Sequence, residues 1–156
     1  MKTVNLGKYQ YFLRVAVVIL AAISPFICLL SYGYLPSISS YWDTDLQPLF
    51  IIANAATSYY LYSVKDWKMS ALMLLLLTSF SLTLFPIVHN ILAIIFFIVN
   101  VYPLTQTHHF KWCIALYLTS LVVLPWSTTF AEIIAIEVLC LYHLLVLIKA
   151  NYLSNS

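Results

Sequence analysis

Charge is scarce in this sequence: seven basic and five acidic residues among 156, 8% of the chain against 63% hydrophobic. A soluble domain carries roughly 25% charged residues. One core of this length cannot hide so much apolar surface, so lipid is the predicted solvent. Glycine is rarer still, with Gly7 and Gly33 alone, which excludes Gly-rich phosphate loops and the usual nucleotide chemistry. A net charge of +2 with no basic stripe excludes nucleic acid as a partner. Cys28, Cys113 and Cys140 sit in apolar runs and form no CxxC pair. They read as small buried hydrophobes with no redox or zinc role.

What is present is a series of apolar segments. Six can be cut, over residues 11–32, 47–64, 69–86, 88–104, 110–125 and 129–149. The third and fourth come from one apolar stretch that would make roughly 50 Å of helix, too long for a hydrocarbon core of about 30 Å. Phe85-Pro86-Ile87-Val88-His89-Asn90 supplies the predicted break, because Pro86 cannot continue a helix interior and Asn90 can cap the next helix. Lys2, Lys8 and Arg14 before the first run resemble the start of a signal peptide. The run holds Ser24-Pro25 and no small-x-small site follows it, so it reads as an uncleaved first span. Asn151–Ser156 reads as a short polar, mobile tail.

Charge placement agrees with six crossings. Lys2, Lys8, Arg14, Lys65, Lys68, Lys111 and Lys149 fall on one side, and Asp43, Asp45 and Glu132 on the other. The positive-inside rule then puts both termini in the cytoplasm. Aromatic belts are predicted from Tyr9, Tyr11, Trp67, Tyr102 and Trp112 at the inner interface, and Tyr32, Tyr34, Tyr41, Trp42 and Trp126 at the outer. The predicted object is a single-domain, all-α, polytopic protein, a bundle of six transmembrane helices in a bacterial-type inner membrane.

Polar residues at span depth are the candidate functional groups. Glu137 is predicted near the midplane, where an acidic side chain costs several kcal/mol unless paired, neutralised or hydrated. Asn54, Thr57 and Ser79 reach similar depth, which gives two readings. One is a ligand-binding or proton-carrying pocket; the other is a neutral Glu137 hydrogen-bonded to Asn54 or Ser79 as glue between helices. His143 lies about 120° around the helix from Glu137, so the two share no face, and a hydrogen bond from His143 to Asn100 is predicted instead. Arg14 reads as snorkelling to the inner interface. At the outer rim, Asp43, His89 and Glu132 are the residue types that bind zinc or do acid–base work. His108-His109 beside Lys111 is a lesser metal candidate. The small residues Ala53 to Ser58 make the second helix slim enough for close packing.

Pro36-Ser37-Ile38-Ser39-Ser40-Tyr41-Trp42-Asp43-Thr44, followed by Leu49-Phe50, resembles the first outer loop of a group of small bacterial multi-pass membrane proteins of uncharacterised function. In that group an S-I-S-x-Y-aromatic-x-T segment leads into the second helix. Leu84-Phe85-Pro86 with His89 and Phe96-Phe97 resembles its third-to-fourth helix hairpin. Some such proteins are distantly similar to the alkaline-ceramidase and adiponectin-receptor-like superfamily, seven-helix proteins with a histidine-held zinc and a nearby Ser and Asp. That resemblance implies zinc as a cofactor, with Ser39 or Ser40, Asp43 and His89 as the matching positions. The chain departs from it in having six segments, and His143 alone where the superfamily carries H-x-x-x-H. The leading functional reading is a non-catalytic protein handling a small ligand or lipid in its bundle. The alternatives are a membrane-embedded metal-dependent lipid hydrolase and a small proton-coupled transporter. The partners implied are the bilayer and either a second copy or another membrane protein.

Overall fold

A computed structural model describes residues 7–106 and 110–155. Six α-helices follow in order: α1 Lys8–Tyr32, α2 Gln47–Tyr62, α3 Lys68–Ser79, α4 Pro86–Thr105, α5 Trp112–Val123 and α6 Thr128–Asn155. A short 3-10 helix, Ile38–Asp43, lies between α1 and α2. No strand occurs among the described residues. Three helices, α1, α4 and α6, are long and apolar enough to cross a membrane. At 12 residues each, α3 and α5 are only about 18 Å long.

Local chemistry explains the helix ends and the one internal irregularity. Pro25 inside α1 cannot donate to the Ala21 carbonyl one turn back. The Ser24 hydroxyl donates to that carbonyl instead, at 3.0 Å, so the helix continues through the proline. Gly33 ends α1 with φ of 68°, its N–H donating to Leu29 O at 2.9 Å. This is the left-handed turn that glycine adopts without a Cβ penalty.

The predicted break between the third and fourth segments is displaced. It lies at 80–85, before Pro86, and α3 stops at Ser79. Ser81 Oγ accepts from Thr83 N at 3.2 Å and Leu84 N at 3.3 Å, so the turn is made by a serine cap of the following backbone. Pro86 occupies the first position of α4, where its missing N–H costs nothing. Asn90 lies inside the helix rather than capping it. The tail also differs from expectation: α6 runs on to Asn155 because no breaker interrupts it.

The helices pack α1 on α2, α2 on α3, α3 on α4, and α6 on both α5 and α1, with a lighter α4–α5 contact closing the circle. The slim face of α2 works as predicted: Ser58, buried, donates to Ala71 O of α3 at 2.6 Å. The connections gather at two ends. At one end Asp43 accepts from Ser81 at 3.3 Å and from Thr83. There too Tyr34 lies 2.6 Å from Ser127, and Thr129 donates to Leu35 O. At the other end Trp67 and Phe110 both pack on Tyr142, with ring centroids 5.5 and 6.2 Å away.

Two residues assigned to interfacial belts belong to the core. Tyr41 is fully buried, its hydroxyl donating to Gly33 O at 2.5 Å and accepting from Leu35 N at 3.3 Å. Trp67 is 2% exposed. Both are aromatics with a partner for their apolar faces inside the protein. Tyr9, Tyr102, Trp112, Tyr32, Tyr34 and Trp126 are exposed, as a belt requires.

Candidate functional site

The circle of helices encloses a cavity of about 110 Å³. Its walls are single stripes at helical spacing: Phe50, Ala53, Asn54, Thr57, Tyr60 and Leu61 on α2, and Glu132, Ile136, Leu139, Cys140 and His143 on α6. Recurrence at three, four and seven residues puts each set on one helix face. Ser24, Pro25 and Cys28 of α1, Leu74 and Leu77 of α3, and Phe96 and Phe97 of α4 complete the sides. The 3-10 helix contributes Ile38 and Ser39 at the connection-rich end.

The polar groups of the lining sit mainly at its two ends. At one end His143, 4% exposed, has Nδ1 3.0 Å from the Tyr60 hydroxyl. It is boxed by Trp67, Tyr142 and Tyr60, with ring centroids at 4.4, 5.1 and 5.2 Å. Its Nε2 is buried and makes no hydrogen bond among the described residues. At the other end Glu132 accepts the Ile38 N–H at 2.5 Å, tying α6 to the 3-10 helix. Between them Asn54 and Thr57 face the cavity from α2, Thr57 donating to Ala53 O of its own helix at 2.7 Å. The site can therefore hold a mainly apolar body and offer it hydrogen bonds at its ends.

Of the midplane set predicted from sequence, Asn54, Thr57 and His143 line this cavity, and Glu137, Ser79 and Asn100 do not. Glu137 is half-buried on another face of α6, with Oε1 lacking a partner. Ser79 is exposed and donates to Leu75 O at 2.8 Å. Neither bonds Glu137, so the predicted glue is not formed. Asn100 is fully buried and donates to Phe96 O of its own helix at 2.8 Å. The predicted Asn100–His143 bond is replaced by Tyr60–His143, because α2 and α6 bring those two side chains together at one end of the cavity.

The outer-rim trio is not brought together as a ligand set. Asp43 is held by Ser81 and Thr83, Glu132 by Ile38 N, and His89 Nδ1 lies 2.6 Å from Phe80 O. Among the described residues no three His, Cys, Asp or Glu side chains group so as to hold a metal ion. Although His89 Nε2 has no partner among the described residues, no second and third ligand among them group with it, so these residues do not fit zinc. His108 and His109 lie outside the described residues.

Tyr60, Trp67 and the pairing of Glu132 with His143 escaped the sequence reading. The signal was present in the spacing: Glu132 and His143 are separated by three helical turns and share a face, whereas Glu137 does not. Tyr60 likewise stands in line with Asn54 and Thr57 on α2. No protein-family model, curated protein or solved structure matches the chain.

Proposed function

We propose that this chain is a six-span, multi-pass protein of a bacterial-type inner membrane, with α1 beginning and α6 ending at the cytoplasmic face. On this reading it holds a small apolar ligand or lipid tail in its bundle and does no chemistry on it. The observation that carries the proposal is the cavity, lined by apolar stripes from five of the six helices with hydrogen-bonding groups few and placed mostly at its ends.

Several features support the bilayer placement. Large apolar side chains stand exposed on the outer helix surfaces, among them Ile19, Ile23, Leu30, Ile94, Ile98, Leu121 and Val122, which water would not tolerate over so wide an area. The irregular stretch at 80–85 has its serine and threonine groups bonded to protein, the condition under which non-helical backbone is accepted at membrane depth. Lys65, Lys68 and Lys111 cluster around the connections that pack on Tyr142, consistent with one cationic face.

Ala53, 3% exposed, lines the cavity, so Ala53→Phe places a ring in the proposed ligand space. Full-length protein purified in mild detergent should retain an apolar small molecule, detected by mass spectrometry of the extract. Ala53→Phe, checked for unchanged helical content by circular dichroism, should lose it. Equal retention by both proteins rejects the cavity as the binding site.

A further inference from the structure

Most polar groups in the cavity wall are already engaged, and the free ones gather toward one end. Ser24, Thr57 and Tyr60 are bonded to protein groups, and His143 Nε2 is sealed off from the cavity. Ser39 Oγ, the Asn54 side-chain amide and the second oxygen of Glu132 make no hydrogen bond among the described residues. None of these atoms is sealed: each keeps accessible surface, in a residue that lines the cavity. Ile38, next to Ser39 in the chain, donates its N–H to the first Glu132 oxygen at 2.5 Å. Helices α2 and α6 both begin at this end, with Asn54 roughly 10 Å and Glu132 roughly 6 Å along them. The depths of the two side chains therefore differ by less than one helical turn.

A carboxylate oxygen open to an apolar cavity needs a counter-charge or donors. Glu132 has no ion-pair partner among the described residues, and no lysine or arginine lines the cavity. The Ile38 N–H satisfies one oxygen and leaves the other facing inward. All three free groups can present an acceptor: the Glu132 carboxylate, Ser39 Oγ, and Asn54 Oδ1 once the unbonded amide turns it inward. A primary ammonium carries three N–H donors and no acceptor, which matches them one for one. Its charge also pairs with the carboxylate and strengthens those bonds. Asp43 and Asp45 lie at the same end and add to its negative field. Deeper in, the wall turns apolar through Ile136, Leu139 and Phe96, and it closes on the aromatic box around His143 roughly 16 Å from Glu132.

We infer that the ligand is a primary alkylamine, its ammonium head held by Glu132, Ser39 and Asn54 and its hydrocarbon tail running toward the aromatic box around His143. The inference rests on the cavity being a binding site, as proposed above, and adds the chemistry of the head. Other heads fit less well. An anion meets the Glu132 carboxylate with no cation in the wall to offset it. A hydroxyl supplies one donor and leaves the carboxylate without a counter-charge.

Decylamine, decanol and decanoate share one tail and differ in the charge of the head. Their binding to the full chain in detergent is measured at about pH 8, between the ordinary carboxylate and ammonium ranges. Trp67, which lines the far end of the cavity, reports it by fluorescence in a background carrying Trp42→Phe, Trp112→Phe and Trp126→Phe. Decylamine should bind about tenfold tighter than decanol, the gain from charge-assisted hydrogen bonds, and decanoate should bind most weakly. Glu132→Gln keeps an oxygen for the Ile38 N–H and removes the charge. It should bring decylamine down to the affinity of decanol and leave decanol unchanged. Ser39→Ala and Asn54→Leu should each weaken the amine about threefold. Decanol or decanoate binding as tightly as decylamine, or an amine preference that survives Glu132→Gln, overturns the assignment of the head and leaves the cavity reading standing. Failure of all three probes to alter Trp67 emission removes the cavity reading itself, and the assignment with it. The ranking on the unsubstituted site decides the matter even where a variant does not fold.

Discussion

Tyr41 shows how one side chain can organise a loop in a protein with few polar groups. It sits fully buried in the 3-10 helix, and its hydroxyl serves two backbone groups of the chain leaving α1, Gly33 O and Leu35 N. One is the carbonyl of the left-handed Gly33 itself and the other the N–H two residues on, both just past the helix end. Tyr41→Phe keeps the ring and its packing against Cys28, Ile38, Phe50 and Ile133, yet strands both backbone groups. A loss of about 1–2 kcal/mol is expected, within the range for a buried hydrogen bond, read as a lower thermal midpoint in detergent. An unchanged midpoint means the hydroxyl is satisfied by solvent and the loop is held by packing alone. From the sequence Tyr41 looked like a belt residue, since an aromatic beside a polar loop fits both places equally well. Burial depends on neighbours far away in the chain, and local pattern does not report them.

At the scale of elements, composition and periodicity disclosed the three longest helices and the slim face of α2, because each is a property of adjacent residues. The turn between α3 and α4 was misplaced for the opposite reason. Proline dominated the sequence argument, whereas the actual break is set by Ser81 capping its own turn and by Asp43, 38 residues earlier, holding Ser81. The same blindness to distant partners hid the box around His143, whose members Tyr60 and Trp67 come from α2 and the turn after it. Glu137 drew attention because depth along one helix can be counted, but facing direction decides membership of a site, and Glu132 is the acidic residue on the cavity face. These two accounts of the turn make different forecasts. Asp43→Ala should raise amide exchange at Thr83 and Leu84 about fivefold, as expected when contacts worth about 1 kcal/mol are removed from a surface turn. Pro86→Ala should leave that exchange nearly unchanged, because helix α4 already has a helix-compatible first position. Hydrogen–deuterium exchange measured by mass spectrometry separates the two outcomes, and a larger effect from Pro86→Ala restores the proline as the cause.

For the whole molecule, the decisive relation is between the positions of the connections and the distribution of cations. Trp67, in the turn between α2 and α3, and Phe110, in the turn before α5, pack on the same residue, Tyr142, so Lys65 and Lys111 belong to one end of the bundle. Asp45 and the turn at 80–85 belong to the other, joined through the loop that carries Asp43. A bilayer between those two ends would see each connection alternate, and the positive-inside rule sets which end faces the cytoplasm. The native cysteines Cys28, Cys113 and Cys140 are all buried, so a membrane-impermeant maleimide reads only introduced thiols. In intact cells Asp45→Cys and Leu84→Cys should be labelled, whereas Lys65→Cys and Lys111→Cys should react only after permeabilisation. Lys65→Cys and Lys111→Cys reacting from opposite sides would break the alternation. Both reacting from outside, with Asp45→Cys protected, would invert the orientation and place the His143 end of the cavity toward the exterior.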